Sequence, residues 1–353
     1  MAKAKEKTLN EHRQEGLGSL YAALDKQFGE GTGRPIPERE VQRELARVST
    51  GSLSIDHVTG GGIPKGRVTE IFGNESGGKT TLALTIIAQA QKGGGVGAFV
   101  DAEHTFDPSW AAKLGVDVAK MLYHDPESGE EALTVVELML KSKAVDVIVV
   151  DSVSALVPLA ELQGEMGEAQ MGLQARLMSQ AMRKLTSATD KSQAALIFIN
   201  QLREKLGNTS WGPSETTTGG RALKFYASLR LDVRRTEQIK SQETVLGHQM
   251  RVLAVKNKTA PPFRRTFVPL LYERGIDGVG EFVDLGVSAG LIEKSGAWYA
   301  FRHDPRGVAN ERMGQGREAA VEWLRTRPES LTKMRAQLLN HLETGEVYGK
   351  GLS

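Results

Sequence analysis

Hydrophobic residues occur along the chain in short runs that alternate with amphipathic segments. Between about residues 48 and 272 the apolar runs have the length and composition of buried strands. They are Arg67–Phe72, Val96–Val100, Val145–Val150, Ala194–Ile199, Ala227–Val233, Arg251–Val255 and Arg265–Leu271. Helical spacing separates the early runs, in Thr80–Gln91, Glu130–Ser142 and Leu173–Thr189. This alternation predicts a doubly wound α/β domain with a mostly parallel sheet.

The two ends of the chain lack this alternation. The N-terminal part is polar and charged, and its apolar positions recur at helical spacing, which predicts one amphipathic helix. These positions are Leu17, Leu20, Tyr21, Leu24 and Phe28. Glycine and proline in Gly29–Pro37 predict a linker, and short helical patterns surround a hairpin-like segment at Gly296–Phe301. We therefore expect an N-terminal arm at 1–47, a core at 48–274 and a small α+β domain at 275–353.

Composition narrows the class of protein. Hydrophobic residues make up 40% of the 353 residues and charged residues 25%, which excludes disordered and fibrous classes. No apolar run has the length of a membrane span or a secretory signal, so we expect a cytoplasmic protein without a membrane partner. The absence of cysteine excludes disulfides, zinc–thiolate sites and a thiol nucleophile. The net charge of +2 means that nucleic-acid binding would need locally concentrated basic groups.

The strongest chemical signal is GNESGGKT, which fits the phosphate-loop pattern G-x-x-x-x-G-K-[ST] between a predicted strand and a predicted helix. Backbone N–H groups of such a loop bind phosphate oxygens. Lys79 would supply a point charge to the β- and γ-phosphates, and the Thr80 hydroxyl is placed for Mg²⁺. The predicted nucleotide-binding residues here are Gly73, Asn74, Glu75, Ser76, Gly77, Gly78, Lys79, Thr80 and Thr81.

Polar residues follow three other predicted strands. Asp151 ends the apolar run VDVIVV and suits a metal-binding carboxylate, although it could simply cap a helix. Glu103, in FVDAEH, has the position of a general base, with a solvated turn residue as the alternative. Gln201 follows the run IFIN, and its amide could sense a terminal phosphate or belong to an ordinary turn.

Several collinear segments resemble the bacterial RecA recombinase family. They include GNESGGKTTLAL, FVDAEHTFDPSWAAKLGV, VIVVDSVSALVP, IFINQLREK and VKNKTAPPF, and the likeness runs from about Val48 to Pro328. The resemblance implies a RecA-like P-loop NTPase core with an N-terminal helical arm and a small C-terminal domain. It also implies a DNA-stimulated ATPase that uses ATP and Mg²⁺. The protein would form a helical homo-oligomeric filament on single-stranded DNA and pair it with homologous duplex DNA in repair.

The resemblance also implies roles for single residues. Glu103 would be the catalytic glutamate, and Gln201 would link the γ-phosphate to DNA binding. Lys256 and Lys258 would reach ATP bound on the adjacent subunit, although from sequence alone VKNK is a small solvated basic segment. Trp110 would stack on the adenine, and Asp107 would lie near the adenine amino group. A helix-start anchor is the alternative for Trp110, and an N-cap is the alternative for Asp107.

Two polar segments, Glu161–Gly172 and Leu202–Gly220, are predicted to be loops that contact DNA. Arginine and lysine would neutralise the backbone, and apolar side chains would meet the bases. The assigned residues are Met171, Arg176, Arg183, Arg203, Lys205, Leu206, Trp211, Thr217, Thr218, Gly219, Gly220 and Arg221. Trp211 could instead anchor its own loop. Relative to the family pattern, the second loop is one residue longer and carries an acidic Glu204.

Contacts between subunits and with other partners are the remaining expectations. The N-terminal helix could pack on its own core or on a neighbouring copy, and the resemblance favours the neighbour, with Phe225 at the same interface. Lys294, Arg302 and Arg317 could gather duplex DNA or form a solvated face. A second implied activity is promotion of self-cleavage by a LexA-like repressor. The competing classes are a hexameric helicase or RadA-type protein and a P-loop kinase of small molecules.

Overall fold

The computed structural model describes residues 2–35, 45–165, 172–204, 215–241, 243–302 and 310–345. It separates into two compact units, Met1–Leu45 and Ala46–Ser353. Within the described residues, no helix has both the length and the apolarity needed to cross a bilayer.

The first unit is built on one long helix, α1 (Ala2–Phe28). It extends far beyond the predicted apolar positions, because its N-terminal half is rich in good helix formers but has no apolar stripe. Gly29, with φ at 98°, ends the helix, and Arg34 folds back to pair with Asp25. Leu20 and Phe28 are 50% and 64% exposed.

The second unit contains a ten-stranded mixed sheet in the order β12-β11-β10-β9-β3-β7-β6-β4-β5, with β8 paired to β7. Strands β9, β3, β7, β6, β4 and β5 run parallel to one another. From β9 outwards, β10, β11 and β12 pair antiparallel, as does β8 with β7. The strands are β3 (Val68–Gly73), β4 (Gly97–Asp101), β5 (Leu122–His124), β6 (Val147–Asp151), β7 (Ala195–Glu204), β8 (Glu215–Thr217), β9 (Leu229–Ser241), β10 (Thr244–Asn257), β11 (Arg265–Leu271) and β12 (Gly275–Ile276). A separate two-stranded sheet pairs β1 (Arg47–Val48) with β2 (Ile63–Pro64).

Helices cover both faces of the sheet. They are α2 (Leu53–Thr59), α3 (Lys79–Lys92), α4 (Pro108–Lys113), α5 (Gly129–Ser142), α6 (Leu159–Leu162), α7 (Leu173–Ser192) and α8 (Ala222–Tyr226). Strand β6 shows the two-sided burial most simply: Val147 and Val149 join the core beneath α3, whereas Ile148 and Val150 join the core beneath α5 and α7. Continuous apolar runs in the sequence are therefore strands buried on both faces, as predicted.

The C-terminal part has its own core beside the sheet. A three-stranded antiparallel sheet of β13 (Ile292–Ser295), β14 (Trp298–Arg302) and β15 (Asn310–Gln315) packs with α9 (Gly278–Ser288), α10 (Arg317–Arg325) and α11 (Pro328–Thr344). The hairpin-like segment of the sequence is the β13–β14 turn and strand β14.

A buried carboxylate attaches this part to α2. Glu281 of α9 accepts hydrogen bonds from the Ser52 hydroxyl at 3.0 Å and from the backbone N–H groups of Leu53 and Ser54 at 3.0 and 2.9 Å. It therefore satisfies free donors at the N-terminus of α2. Arg335 of α11 adds a second contact, at 3.4 Å from Asp56.

Candidate nucleotide and DNA site

The phosphate loop, Gly73–Thr80, leaves the C-terminal end of β3 and turns directly into α3. Ser76 and Gly78 have φ values of 56° and 95°, which reverse the backbone at this point. A Cβ at Gly73 would lie 1.9 Å from the Val233 carbonyl oxygen, so only glycine fits there. The loop is thus a close-packed turn whose N–H groups can cradle phosphate.

Lys79 is held across this loop. Its side chain is buried, and Nζ donates to the Asn74 carbonyl oxygen at 2.7 Å. Burial lowers the pKa of Lys79, whereas the nearby carboxylates of Asp151, Glu103 and Glu75 act to raise it. A positioned ammonium at the start of α3 is the group that triphosphate oxygens require.

Thr80 and Asp151 are in direct contact. Asp151 ends β6, and its Oδ2 accepts a hydrogen bond from Thr80 Oγ1 at 2.6 Å. Burial, together with the charges of Glu103 and Asp101, raises the pKa of Asp151 to about 6. The Thr80 hydrogen bond and the Lys79 charge oppose these effects. Asp151 therefore faces the phosphate loop.

The oxygen donors at this position fit Mg²⁺. Beside the Thr80–Asp151 pair, Asp101 Oδ1 is buried and has no hydrogen-bond partner within the described residues. Nor do those residues contain a group of three or more His, Cys, Asp or Glu side chains that could hold a metal by itself. Mg²⁺ bound with nucleotides commonly takes one or two protein oxygens and completes its shell with phosphate and water.

Glu103 contacts the predicted phosphate sensor. It follows β4 and is half-buried, and its Oε1 accepts hydrogen bonds from Gln201 Nε2 at 2.8 Å and from the Ser152 hydroxyl. Parallel strands β4, β6 and β7 supply these three residues, because their C-terminal ends meet at one edge of the sheet.

Asn200 connects this edge to the second predicted DNA loop. Its Nδ2 donates to Glu70 Oε1 at 2.9 Å and to the Thr218 carbonyl oxygen at 3.2 Å. The Thr218 hydroxyl donates back to Asn200 Oδ1 at 2.5 Å. The following glycines, Gly219 and Gly220, have φ values of 75° and 76°. The base of the loop is therefore fixed to β7, the strand that contains Gln201.

Some of the predicted DNA-binding residues gather near this base. Arg203 lies on β7 opposite Thr216 of β8, and Thr217 is buried in the same ladder. Arg176 is exposed in the first turn of α7, where Ala175 packs against Gly220. Arg221 is also exposed, just before α8. Met171, Lys205, Leu206 and Trp211 lie outside the described residues.

Other residues predicted to contact DNA or the adjacent subunit lie away from the base of the second loop. Arg183, Phe225 and Lys258 line a different cavity, of about 700 Å³, near the N-terminal end of β3. Lys256 pairs in register with Arg230, which in turn pairs with Glu70 in the N-terminal half of β3, and Lys256 Nζ donates to the Phe225 carbonyl oxygen at 2.9 Å. Burial lowers the pKa of Lys256, and the charges of Lys258 and Arg230 add to this.

The N-terminal end of β3 is the end opposite to the phosphate loop. Val68 and Gly73 are five residues apart, or roughly 17 Å in an extended strand. Lys258 donates its N–H to Ser228, whose own N–H is bonded to Val68. Within one chain, the two lysines therefore lie beside the N-terminal part of β3, whereas the phosphate loop leaves its C-terminal end.

Trp110 reaches the nucleotide cavity, whereas Asp107 caps a helix. Trp110 Nε1 lies 3.4 Å from Thr81 Oγ1, and its ring lines a cavity of about 310 Å³ beside the phosphate loop. The Asp107 carboxylate accepts hydrogen bonds from the N–H groups of Ser109 and Trp110 at 2.8 and 3.2 Å. These hydrogen bonds lower the pKa of Asp107.

Sequence reasoning missed three residues in the wall of this cavity. His248 of β10, Leu270 of β11 and Tyr272 form its side opposite α3. Antiparallel pairing brings them there, and no local motif marks them. His248 and Tyr272 lie outside the strands predicted from the sequence, and Leu270 lies within one but carries no chemical signal.

Two of the three cationic side chains predicted to gather duplex DNA form ion pairs with carboxylates of the C-terminal part. Arg317 pairs with Asp277 and Asp284 at 3.2 and 2.8 Å, and these carboxylates raise its pKa. Arg302 lies 3.4 Å from Glu293. Lys294 is exposed and lies 5.5 Å from the centre of the Tyr299 ring.

Comparison with known proteins gives the family. A model of the RecA N-terminal domain matches residues 17–277, and a model of the RecA C-terminal domain matches residues 280–343. Over 349 residues the chain is 53% identical to Protein RecA of Thermus aquaticus, covering 97% of this chain and 100% of that protein. It is 55% identical over 310 residues to Protein RecA of Chlorobium limicola, covering 88% and 86% of the two chains.

The predicted fold class, family and activity are confirmed. The structure has a phosphate loop at the edge of a largely parallel sheet, and a small antiparallel sheet in its C-terminal part. The two family models together match nearly the whole chain. The chain belongs to the RecA family, and it is a DNA-dependent ATPase that acts in DNA recombination and repair.

Proposed function

We propose that this recombinase binds ATP with Mg²⁺ between the phosphate loop and the wall that contains Trp110, and that Glu103 is the general base. The observation that carries the proposal is the contact of Glu103 with Gln201, the last residue before the second DNA loop diverges. Lys79 and Thr80 would hold the β- and γ-phosphates. Mg²⁺ would bind at Thr80 and Asp151 and neutralise charge that develops on the phosphates.

Hydrolysis needs a base that can accept a proton from water. Water would attack the γ-phosphorus while Glu103 takes its proton, the bond to the bridging oxygen would break, and ADP would leave with that oxygen. Ser152 and Gln201 both donate to Glu103 Oε1, so the atom that would accept the proton is engaged. Release of Gln201 to the γ-phosphate would free Oε1 for that proton and add a donor to the phosphate.

DNA would provide that release. The second DNA loop is fixed through Thr218 and Asn200 to the end of β7, next to Gln201. A loop ordered on DNA would shift this strand end, and Gln201 would exchange its bond to Glu103 for one to the γ-phosphate. DNA stimulation of the ATPase would follow from this exchange.

The nucleotide would also join subunits. Lys256 and Lys258 lie toward the end of β3 opposite to the phosphate loop, which supports contact with a neighbouring copy's nucleotide and not with their own. ATP bound in one subunit would then meet cationic groups of the next, and hydrolysis would weaken the contact.

The N-terminal arm would serve filament assembly, and the small C-terminal domain would bind a partner. The arm at 1–47, with its exposed Leu20 and Phe28, would pack on the adjacent core at 48–274. The small domain at 275–353 would present Lys294 to duplex DNA. A LexA-like repressor that cleaves itself on the filament would be a further partner. Since ATP and DNA are its substrates, we place the protein in the cytoplasm.

Electron microscopy of the protein with single-stranded DNA and a non-hydrolysable ATP analogue tests this proposal. We expect open helical filaments that require both ligands, with nucleotide density between successive subunits. Lys79→Ala is the control that should assemble none. Closed rings, or nucleotide contacted by one subunit alone, would contradict the proposal. A turnover rate unaffected by DNA would favour a small-molecule kinase.

A further inference from the structure

The segment that carries Glu103 is short and is tied to its surroundings at several points. It leaves β4 after Asp101 and runs to Phe106, just before α4. The N–H groups of Ala102 and Glu103 donate to the Asp151 carbonyl oxygen at 2.7 and 3.1 Å. Asp101 closes the segment, because its Oδ2 accepts a hydrogen bond from the Phe106 N–H at 2.9 Å. A carboxylate on such a segment is placed only as precisely as its backbone is held.

The edge strand β5 supplies a hydroxyl group to this segment. Tyr123 of β5 pairs in register with Phe99 of β4, and its hydroxyl donates to Asp101 Oδ2 at 3.2 Å. The centre of its ring lies 5.1 Å from that of Phe106. Burial, together with the charge and the hydrogen bond of Asp101, raises the pKa of Tyr123 to about 12, so the hydroxyl remains a donor at neutral pH. Tyr123 therefore holds the carboxylate that closes the Glu103 segment.

A second contact from the same strand end holds the middle of the segment. His104 follows Glu103 directly and has a φ of 57°, in the left-handed region that costs energy for a residue other than glycine. Its Nδ1 lies within hydrogen-bonding reach of Asp125 Oδ1. Asp125 comes directly after β5 and two residues from Tyr123, a spacing that puts both side chains on one side of an extended backbone. The contact stabilises an unfavourable backbone conformation next to Glu103.

These two β5 contacts lie outside the nucleotide cavity. The described residues that line the cavity beside the phosphate loop do not include Tyr123 or Asp125. The two side chains reach Glu103 through Asp101 and His104. Their effect on the reaction would therefore be on the position of the base and not on the binding of ATP.

We propose that Tyr123 and Asp125 are positioning residues for ATP hydrolysis, which hold the Glu103 segment through Asp101 and His104. The inference rests on the proposed function, because it takes Glu103 as the general base. It extends the arrangement that controls turnover to the edge strand of the sheet.

The rates of ATP hydrolysis by Tyr123→Phe and Asp125→Ala, each in the full-length protein, test the inference. Phenylalanine keeps the ring beside Phe106 but lacks the hydroxyl, and alanine removes the partner of His104. We expect each substitution to lower the DNA-stimulated kcat about threefold to tenfold, the effect of one hydrogen bond, and to leave the calorimetric affinity for ATP unchanged. Asp125→Asn, which keeps an acceptor oxygen, should restore part of the rate.

Two matched controls should behave as the unaltered protein. Tyr299→Phe removes the hydroxyl of a tyrosine in β14 of the C-terminal part. Asp117→Ala removes an exposed carboxylate that pairs with Lys120 at 2.8 Å. Both variants keep the contacts of Tyr123 and Asp125, so kcat and the affinity for ATP should be unchanged.

The same substitutions in a Glu103→Gln background separate positioning from a structural role. If Tyr123 and Asp125 act through the base, removal of the base leaves them nothing to position, and the slow residual rate should not fall further. A merely structural role would lower the residual rate, or the affinity for ATP, in both backgrounds. Single-turnover hydrolysis measures these rates.

Each outcome decides one question. An unaltered kcat in a folded Tyr123→Phe or Asp125→Ala variant would overturn the role of that residue while leaving the proposed function intact. So would an equal fractional loss of rate in the Glu103→Gln background, or a matching loss of affinity for ATP. Normal hydrolysis by Glu103→Gln itself would instead reject the base assignment in the proposed function, and the inference with it.

Discussion

Gln201 Nε2 donates to Glu103 Oε1 at 2.8 Å, although 98 residues separate the two in sequence. Strands β4 and β7 lie on either side of β6 and end at the same edge of the sheet. The hydrogen bond between Gln201 and Glu103 therefore reaches across the end of β6. Under the proposed function, Glu103 belongs to the nucleotide site and Gln201 lies at the base of a DNA loop. Their contact gives a direct route by which DNA could control hydrolysis.

Replacing Gln201 with Ala should uncouple DNA from turnover. Without the amide, Glu103 Oε1 is free of Gln201 whether or not DNA is bound, but no Gln201 donor reaches the γ-phosphate in either state. We expect DNA-free ATPase activity to stay within about threefold of the unaltered rate, and stimulation by single-stranded DNA to fall at least tenfold. Steady-state ATPase assays with and without DNA measure both. Gln180→Ala, exposed on α7, should behave as the unaltered protein, and normal stimulation in Gln201→Ala would refute the coupling.

Glu103→Gln should separate binding from hydrolysis. The amide has similar volume but cannot take a proton from water, so we expect ATP and DNA binding to persist and turnover to fall about 10²- to 10⁴-fold. Filaments should consequently dissociate slowly, which light scattering after ATP dilution would detect. Glu137→Gln, on α5, is the matched control. Unchanged turnover would remove Glu103 from the base role.

The Mg²⁺-dependent affinity for ADP should fall as the pH falls through about 6. Burial raises the pKa of Asp151 to about 6 in the nucleotide-free protein, so the carboxylate is charged above this pH and protonated below it. Protons then compete with Mg²⁺, which lowers the apparent affinity by up to about tenfold per pH unit. Calorimetry across this range measures the effect. Asp151→Asn should bind weakly at every pH, and a pH-independent affinity in the unaltered protein would contradict the assignment.

Glu281→Gln should destabilise the second unit. Three donors, from Ser52, Leu53 and Ser54, converge on the two carboxylate oxygens, and an amide would direct its NH₂ group at one or more of them. Burial raises the pKa of Glu281, so loss of the charge offsets part of the cost. We expect a net loss of roughly 1–3 kcal/mol in urea unfolding. Glu322→Gln, exposed on α10, should change the unfolding free energy by less than about 0.5 kcal/mol.

Deletion of residues 1–34 should leave a folded protein that binds ATP but does not polymerise. The deleted segment falls in a compact unit separate from the sheet and exposes the apolar side chains of Leu17, Leu20 and Phe28. Calorimetry should give an unchanged affinity for ATP, whereas light scattering should detect no DNA-dependent filaments. Filaments formed by the shortened chain would show that the arm is not needed for assembly.

The sequence predicted those parts of the fold that depend on local pattern. Continuous apolar runs marked β3, β4 and β6 to within two residues, because burial on both faces requires a run of that kind. Strands β9 and β10 are longer than predicted, since the hairpin that joins their outer parts is rich in polar residues and has no apolar run. The length of α1 was missed for a similar reason.

The site was predictable to the same extent. Gly73–Thr80, Asp151 and Glu103 follow strands in a recognisable pattern, and the structure brings them to one edge. His248 and Glu281 have no such signal, because tertiary packing of β10 and α9 gives them their surroundings. The contact of Gln201 with Glu103 also depends on the strand order, which a single sequence does not specify.

The phosphate loop leaves one end of β3, and Lys256 of β10 lies toward the other end. Under the proposed function this arrangement has a consequence for growth of the polymer. Subunits joined through nucleotide would all point the same way, so the polymer would have two unlike tips. One tip would offer a nucleotide without a neighbour's lysines, and the other would offer lysines without a nucleotide. Addition and loss of subunits would then proceed at different rates at the two tips, and the assembly would advance along DNA in one direction.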